Sequence, residues 1–398
     1  MRLSTAQIHN QGLQGMLQRQ QAISKTQQQM VTGNKLVTAA DDPSAFSNAQ
    51  RLDHAVSQLE QFGKNAGHLE RRLGLQEHAL SDAGDHLIRA RELVIRANTP
   101  TMSNEDRRVI AVEMRQLRAE LISIGNRDDG AGRALFAGTR DGVVPFADNA
   151  GTVSYAGDSG RNDVDVAPDL AVADADPGSA LFLRVPVGDG IVRGSAGAAN
   201  TGSGVLQSAS ITNHGAWNGS GITVEFTAAD SYRVLDGSGT EIATGTWQSG
   251  ETISAGGVQM KLGGTPEPGD RFSVTRAPEA DIFGTLKSLA DALDAPGDTP
   301  ADAARRTNAL NAGLGDLTIA QEHLIGARAS TGNRLSALTA AAESRLATGL
   351  SLETTLSGLR DVNYAEAASQ FTMQLTALEA AQQLTLRIQG LSLFNKLG

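Results

Sequence analysis

The chain contains no cysteine. Disulfide frameworks, thiolate metal sites and thiol catalysis are thereby excluded. A chain of 398 residues can form two or three domains whose cores need neither crosslink nor metal. Aromatic residues are scarce at 4%, so cores built from Leu and Ala seams are expected. No run of about 18 apolar residues exists, which excludes a bilayer-spanning helix. Gln and Gly interrupt any apolar stretch between Leu3 and Ile23, so no cleavable signal peptide is expected. The formal net charge of -10 argues against a general nucleic-acid binder. Acids are themselves missing from residues 1–40, which carry Arg2, Arg19, Lys25 and Lys35, whereas residues 141–190 hold nine acids against Arg161 and Arg184.

What the chain does have is apolar periodicity at both ends. From Leu52 an apolar residue returns every seventh position, at Leu59, Ala66, Leu73, Leu80, Leu87 and Val94. A second row runs through Ala55, Phe62, Leu69, Gln76, Ala83, Ala90 and Ala97, with Gln76 its one polar member. This is a coiled-coil seam, and its small Ala positions admit a close partner helix. Asp42-Pro43 supplies an N-cap and a first helical residue. The helix they open is predicted to run to about Asn98, roughly 80 Å at 1.5 Å per residue. Ser103-x-x-Asp106 resembles a capping box for a further helix carrying Ile110, Met114, Leu117, Leu121 and Ile124. Helical periodicity resumes near Ile282 and holds from Leu310 through Leu335, Leu338 and Leu359, with Gln321, Arg328 and Arg345 interrupting the rows.

The extreme ends carry thinner stripes. Leu13, Leu17, Ile23 and Met30 are diluted by glutamines and by Gly12 and Gly15, and their counterparts are Phe371, Leu375, Leu378, Ile388 and Leu391. So few apolar side chains do little against the entropy of ordering a helix. Both ends are therefore expected to be poorly ordered in the free monomer and to fold against each other and against neighbouring subunits.

Between Gly138 and about Pro278 the period changes. Ile222–Phe226, Tyr232–Val234 and Phe272–Val274 alternate apolar and polar residues, and Asp236-Gly237 signals a hairpin. The fold class predicted is α+β, a long antiparallel helical coiled-coil rod built from both chain ends with an inserted small antiparallel β domain. Residues 150–270 lie outside both seams, so their deletion is expected to be tolerated better than Leu17→Asp or Leu378→Asp in the terminal stripes.

No catalytic, cofactor-binding or metal-binding residues are assigned. His68, His78 and His86 are spaced too widely along a helix for joint ligation. Asp163, Asp165, Asp169, Asp174 and Asp176 lack the EF-hand pattern and read as a solvated loop. Trp217 and Trp247 admit two readings, a carbohydrate platform and the core of the β domain, the second favoured. Gly202-Ser-Gly204 and Gly263-Gly264 lack the strand-to-helix context of a phosphate cradle and read as turns.

Short motifs at both ends then point to a family. Met1-Arg-Leu-Ser-Thr5, Val31-Thr-Gly-Asn-Lys35, Ala40-Asp-Asp-Pro43 and Arg91-Glu-Leu-Val-Ile-Arg-Ala-Asn98 resemble bacterial flagellins and their relatives. So do Gly326-Ala-Arg328, Asn333-Arg-Leu335 and Ser357-Gly-Leu-Arg-Asp-Val-Asn-Tyr-Ala-Glu366, although Asn363 stands where many relatives carry Asp. Gly132-Arg-Ala-Leu-Phe-Ala-Gly-Thr139 and the ending Ser392-Leu-Phe-Asn-Lys-Leu397 look most like the FlgL type of hook-associated protein. The resemblance implies a secreted, non-enzymatic junction subunit of the flagellum, exported by the flagellar type III apparatus. Its implied partners are other copies of itself in a ring, the FlgK-type first hook-associated protein, flagellin and an export chaperone, with no nucleic acid and no membrane insertion. It also implies that 1–40 and 364–398 are terminal helices lining an inner tube. Residues 41–138 and 282–363 would form the rod, with Leu52, Leu59, Leu73, Leu80, Leu87, Val94, Leu117, Leu121, Leu335 and Leu338 as its seam, and 139–281 a β-rich outer domain. A filament-forming flagellin, and a glycan-binding or enzymatic middle domain on a flagellin-like stem, are the alternative readings.

Overall fold

A computed structural model describes residues 5–295 and 299–397, whose helices are α1 (Thr5–Thr32), α2 (Pro43–Ala97), α3 (Asn104–Gly125), α4 (Ile282–Asp294), α5 (Pro300–Arg360) and α6 (Tyr364–Leu397). Short antiparallel strands lie between Phe146 and Ala280. Long helices from both ends thus enclose an antiparallel β region, the α+β arrangement expected from the change of period. The helix starts follow the local chemistry. Asp42 Oδ1 accepts the N–H groups of Ser44 and Ala45 at 3.0 and 2.9 Å. Ser103 Oγ accepts from the Asp106 N–H at 3.1 Å and donates to the Asp106 carboxylate at 2.7 Å, closing the predicted box.

By contact the chain divides into two compact units, residues 1–64 with 340–398, and residues 65–339. In the second unit α2 and α5 run antiparallel: Asn98 Nδ2 donates to Asn311 Oδ1 at 2.9 Å, and Glu77 pairs with Arg328 at 2.7 Å. Arg328, which broke the apolar row, is accounted for by that pair. Leu80, Leu87 and Val94 are buried between the helices, and Leu117 and Leu121 of α3 join the same core with Leu286 and Leu289 of α4; Leu73 is buried as well. Ala79 and Leu93, outside the two rows, are buried as well.

The polar member of the row is the most informative residue of this core. Gln76 is fully buried at 0% exposure, and each end of its amide is used. Its Nε2 donates to Thr331 Oγ1 of α5 at 2.8 Å and to Asp176 Oδ2 at 3.0 Å, while its Oε1 accepts the Asp176 N–H at 2.9 Å. Asp176 also pairs with Arg161 at 2.9 Å and Arg334 at 2.7 Å. Asp174 faces Arg72 at 3.2 Å, and its carboxyl is pushed up by burial, with Arg72 opposing the shift. The reading of the acidic stretch as a solvated loop is therefore corrected. Asp163–Ala167 and Leu170–Ala173 form a hairpin, and Asp174 and Asp176 turn inward to meet arginines of α2 and α5. Burying these carboxylates is tolerable because each has a cation or several donors.

Segment 134–187 packs into the helical core rather than standing apart from it. Phe136, Phe146, Phe182 and Phe283 form one ring cluster, with Phe182 edge-on to Phe136 and Phe146 at 5.4 and 5.7 Å, and Phe146 5.3 Å from Phe283. The few aromatics are thus concentrated, correcting the expectation of cores made from Leu and Ala alone. A second core begins at Val192 and is shared by two sheets. The five-stranded sheet runs in the spatial order Glu241–Thr246, Ser231–Leu235, Ile222–Ala228, Arg271–Arg276, Val192–Ala196; the three-stranded one is Thr252–Ala255, Val258–Gly263, Val205–Ile211. The alternating runs chosen from sequence supply its centre, with Val224, Phe226, Val234, Phe272 and Val274. Trp247 is buried in that core and Trp217 packs against it, the core reading rather than a platform. Asp236 Oδ1 holds the predicted hairpin by accepting the N–H groups of Ser238 and Thr240, both at 2.9 Å. Asn308 of α5 anchors this β part, accepting the Leu206 N–H at 2.7 Å and donating to Gly204 O at 3.0 Å.

The expected tolerance of a 150–270 deletion is therefore corrected, because it would remove Phe182 and Val185 from the helical core. Val192 and Arg276 are paired neighbours on adjacent strands, so 193–275 is the segment that can be excised with its ends already together. For the polar clamp, Gln76→Leu leaves the Asp176 N–H buried without an acceptor and is expected to cost about 1–3 kcal/mol. That is less than Leu87→Ala, expected at about 2–5 kcal/mol. Urea unfolding measures both, and a Gln76→Leu chain as stable as wild type would contradict the role given to the amide.

Candidate assembly site

The first unit brings the two ends of the chain together. α1 packs along α6, and its one fully covered side chain, among the described residues, is Thr26. Thr26 Oγ1 donates to Ala22 O at 3.1 Å and lies 3.2 Å from Gln374 Oε1. Beyond Thr32 the chain crosses the α5–α6 junction as a miniature antiparallel bridge. The Lys35 N–H donates to Arg360 O at 2.7 Å, the Val362 N–H to Gly33 O at 2.8 Å, and Asn34 is paired with Asp361. Gly33 has φ 73°, and a Cβ there would lie 3.2 Å from the Tyr364 hydroxyl, so the crossing needs glycine. Lys35 Nζ donates to Gly358 O at 2.7 Å, and Arg360 pairs with Asp53 at 3.4 Å.

Motifs quoted from opposite ends of the sequence, Val31–Lys35 and Ser357–Glu366, are therefore in contact. The sequence signal for the crossing is Gly33 followed by the polar pair Asn34-Lys35. Asn363 caps α6, its Oδ1 3.4 Å from the Glu366 N–H, and that task needs only the side-chain oxygen that Asn and Asp share.

Asp41 closes the loop from α1 to α2. Its Oδ1 lies 2.6 Å from Lys25 Nζ, and its Oδ2 accepts the N–H groups of Thr38 at 2.8 Å and Val37 at 3.0 Å. The Lys25 ammonium and the Thr38 N–H hold the Asp41 carboxyl well down, to about 2.

The apolar residues assigned to the ends are only partly covered. Leu13 and Leu17 of α1 are 48% and 52% exposed, and Met373 and Leu384 of α6 are 68% and 60% exposed. Leu375 is exposed too, while Ile23, Met30, Phe371 and Leu378 are half-buried. Ile388 and Leu391 lie outside the residues whose side chains are described. Of the seam residues, Leu73, Leu80, Leu87, Val94, Leu117, Leu121 and Leu338 are buried and Leu335 is half-buried in the second unit. Leu52 and Leu59 are half-buried in the first. Among the described residues there is no group of three or more His, Asp or Glu that could hold a metal, and no helix long and apolar enough to cross a membrane. What this geometry presents is apolar helix faces.

A stem made from both ends of a chain, with a β insertion between them, defines a flagellin-like helical protein. Residues 3–141 match the bacterial flagellin N-terminal helical region. The crystal structure of FlgL from Xanthomonas campestris superimposes with a TM-score of 0.74 at 41% identity, covering 77% of this chain and 99% of that one. Hook-associated protein 3 of Legionella pneumophila gives 0.74 at 28% identity, covering 78% and 98%. Flagellar hook-associated protein 3 of Escherichia coli is 30% identical over 172 residues, 43% of this chain and 54% of that protein. The chain spans about half the length of the curated relatives it matches. It belongs to the FlgL family of flagellar hook-associated proteins.

Asp41 gives a pH test of the loop. A carboxyl held below its ordinary 3.8 adds stability that is present above that value and lost as pH falls through about 2. Where α1 is folded against the loop, carboxyl NMR should place the Asp41 midpoint near 2, and Lys25→Met should move it toward 3.8. An unchanged midpoint would remove Lys25 as the cause.

Proposed function

We propose that this chain is a structural subunit of the hook–filament junction of the bacterial flagellum, without catalytic activity. The observation that carries the proposal is the exposure of apolar residues along α1 and α6, with Leu13, Leu17, Met373 and Leu384 all open to solvent. A stripe of this kind along two paired helices is stabilised by burial against further helices. In this reading the partners are other copies of the chain in a ring, the FlgK-type protein on the hook side and flagellin on the filament side. Residues 1–40 and 364–398 form the inner tube, and the rod seam sets the spacing outside it. Before assembly the same apolar faces would be covered by an export chaperone. Export through the flagellar type III apparatus suits the acid-free stretch 1–40, in which Thr26 is the one fully covered side chain among the described residues.

The two units separate in the test. Leu17→Asp or Leu378→Asp should leave the β core around Phe226 and Trp247 folded by tryptophan fluorescence, yet abolish incorporation and swarming. Normal motility with either change would contradict the assembly role. Excision of 193–275 should retain motility, because that segment has its own core; loss of filaments in such a strain would refute the assignment of assembly to the helices. Purified wild-type protein forming long fibres alone would favour a filament flagellin instead.

A further inference from the structure

The sequence contains one Asn-Gly step, Asn218-Gly219. It lies in the connection between the strands Val205–Ile211 and Ile222–Ala228, and both residues are exposed. Gly219 takes φ 84°, and a Cβ there would meet no atom within 4 Å. Its N–H donates to no group among the described residues. The Asn218 side chain is held in place. Its Oδ1 accepts the Ser220 N–H at 3.0 Å and the Ser220 hydroxyl. A bond from two residues on folds the carboxamide back over the peptide that joins Asn218 to Gly219. A ring of five atoms, Cγ, Cβ, Cα, the carbonyl carbon and the Gly219 nitrogen, then lacks only the bond between its ends. The donors on Oδ1 draw charge from Cγ and would carry the oxyanion formed when a nucleophile adds there.

We propose that Asn218 is a self-modification site, at which the folded chain converts its own asparagine to aspartate or isoaspartate in water. The Gly219 amide gives up its proton to hydroxide, and the electron pair left on nitrogen forms a bond to Cγ. The Cγ–Nδ2 bond then breaks, and the nitrogen takes a proton from water and leaves as ammonia. Water opens the resulting cyclic imide. Addition at Cγ yields aspartate, whereas addition at the backbone carbonyl yields isoaspartate, whose chain runs through Cβ and Cγ. Either product adds a negative charge to the β region. Isoaspartate also lengthens the backbone beside Ser220, whose carbonyl accepts Trp217 Nε1 at 3.1 Å. Gly237 of the neighbouring hairpin packs there so closely that a Cβ on it would lie 2.9 Å from Ser220 Cβ. Asn213, in the same connection, serves as an internal control. It is exposed, and its Oδ1 accepts the Gly215 N–H at 2.9 Å in the same manner. His214 follows it, however, and a side chain at that position crowds the closing ring.

The test is incubation of the full chain at neutral and mildly alkaline pH, folded and in urea, followed by peptide mapping that separates aspartate from isoaspartate. Folded wild type should lose Asn218 at least as fast as the chain in urea, and faster as pH rises. Isoaspartate should be among the products, and Asn213 should convert more slowly by on the order of tenfold. Gly219→Ala should slow conversion by a similar factor. Alanine is strained at this positive φ, so the same slowing is expected in urea, where no turn remains to be disturbed. An Asn218 that persists in the folded chain while converting in urea would overturn the proposal. So would aspartate as the sole product, which marks direct hydrolysis, or equal rates at Asn213 and Asn218.

Discussion

The helical core of the second unit depends on how α2 and α5 register against each other, and Gln76 is the side chain that fixes it. An apolar seam alone is permissive, since Leu and Ala rows pack nearly as well one step out of place. A buried amide is not. Gln76 reaches Thr331 on the partner helix and both the N–H and the carboxylate of Asp176, and a slip would strand those groups without partners. The same contact ties the segment carrying Phe182 to the helices, so one polar residue coordinates two kinds of packing. Arg161 and Arg334 then neutralise Asp176.

The two units are stabilised differently. The second has closed cores, one of helix faces and phenylalanines and one of sheet faces around Phe226 and Trp247. The first is joined mainly by polar contacts at the chain crossing, with Gly33, Lys35, Arg360 and Asp361 providing backbone and side-chain bonds. Its long helices keep large apolar side chains in solvent. A chain with one well-covered region and one thinly covered region is suited to a role in which the second is completed by neighbours.

Much of this was legible in the sequence because helical period and capping are local. The seam from Leu73 to Val94, the Asp42-Pro43 start and the Ser103 box all follow from residues within a few turns of one another. Strands with clean alternation, such as Ile222–Phe226, were equally readable. The inward turn of Asp174 and Asp176 was not, since it depends on arginines about a hundred and more positions away. Nor was the placement of 134–187 in the helical core, because its strands are short and Gly- and Asp-rich, and Phe136, Phe146 and Phe182 meet only in three dimensions. The crossing of Val31–Lys35 with Ser357–Glu366 was visible as two motifs but not as one contact.

We propose that α1 and α6 gain their order from neighbouring subunits. Amide hydrogen exchange on the free chain and on the chain within assembled flagella tests it most directly. Rapid exchange is expected along 10–32 and 364–387 in the free chain and strong protection in the assembly, with 79–97 protected in both. Termini protected in the free chain as strongly as 79–97 would contradict it.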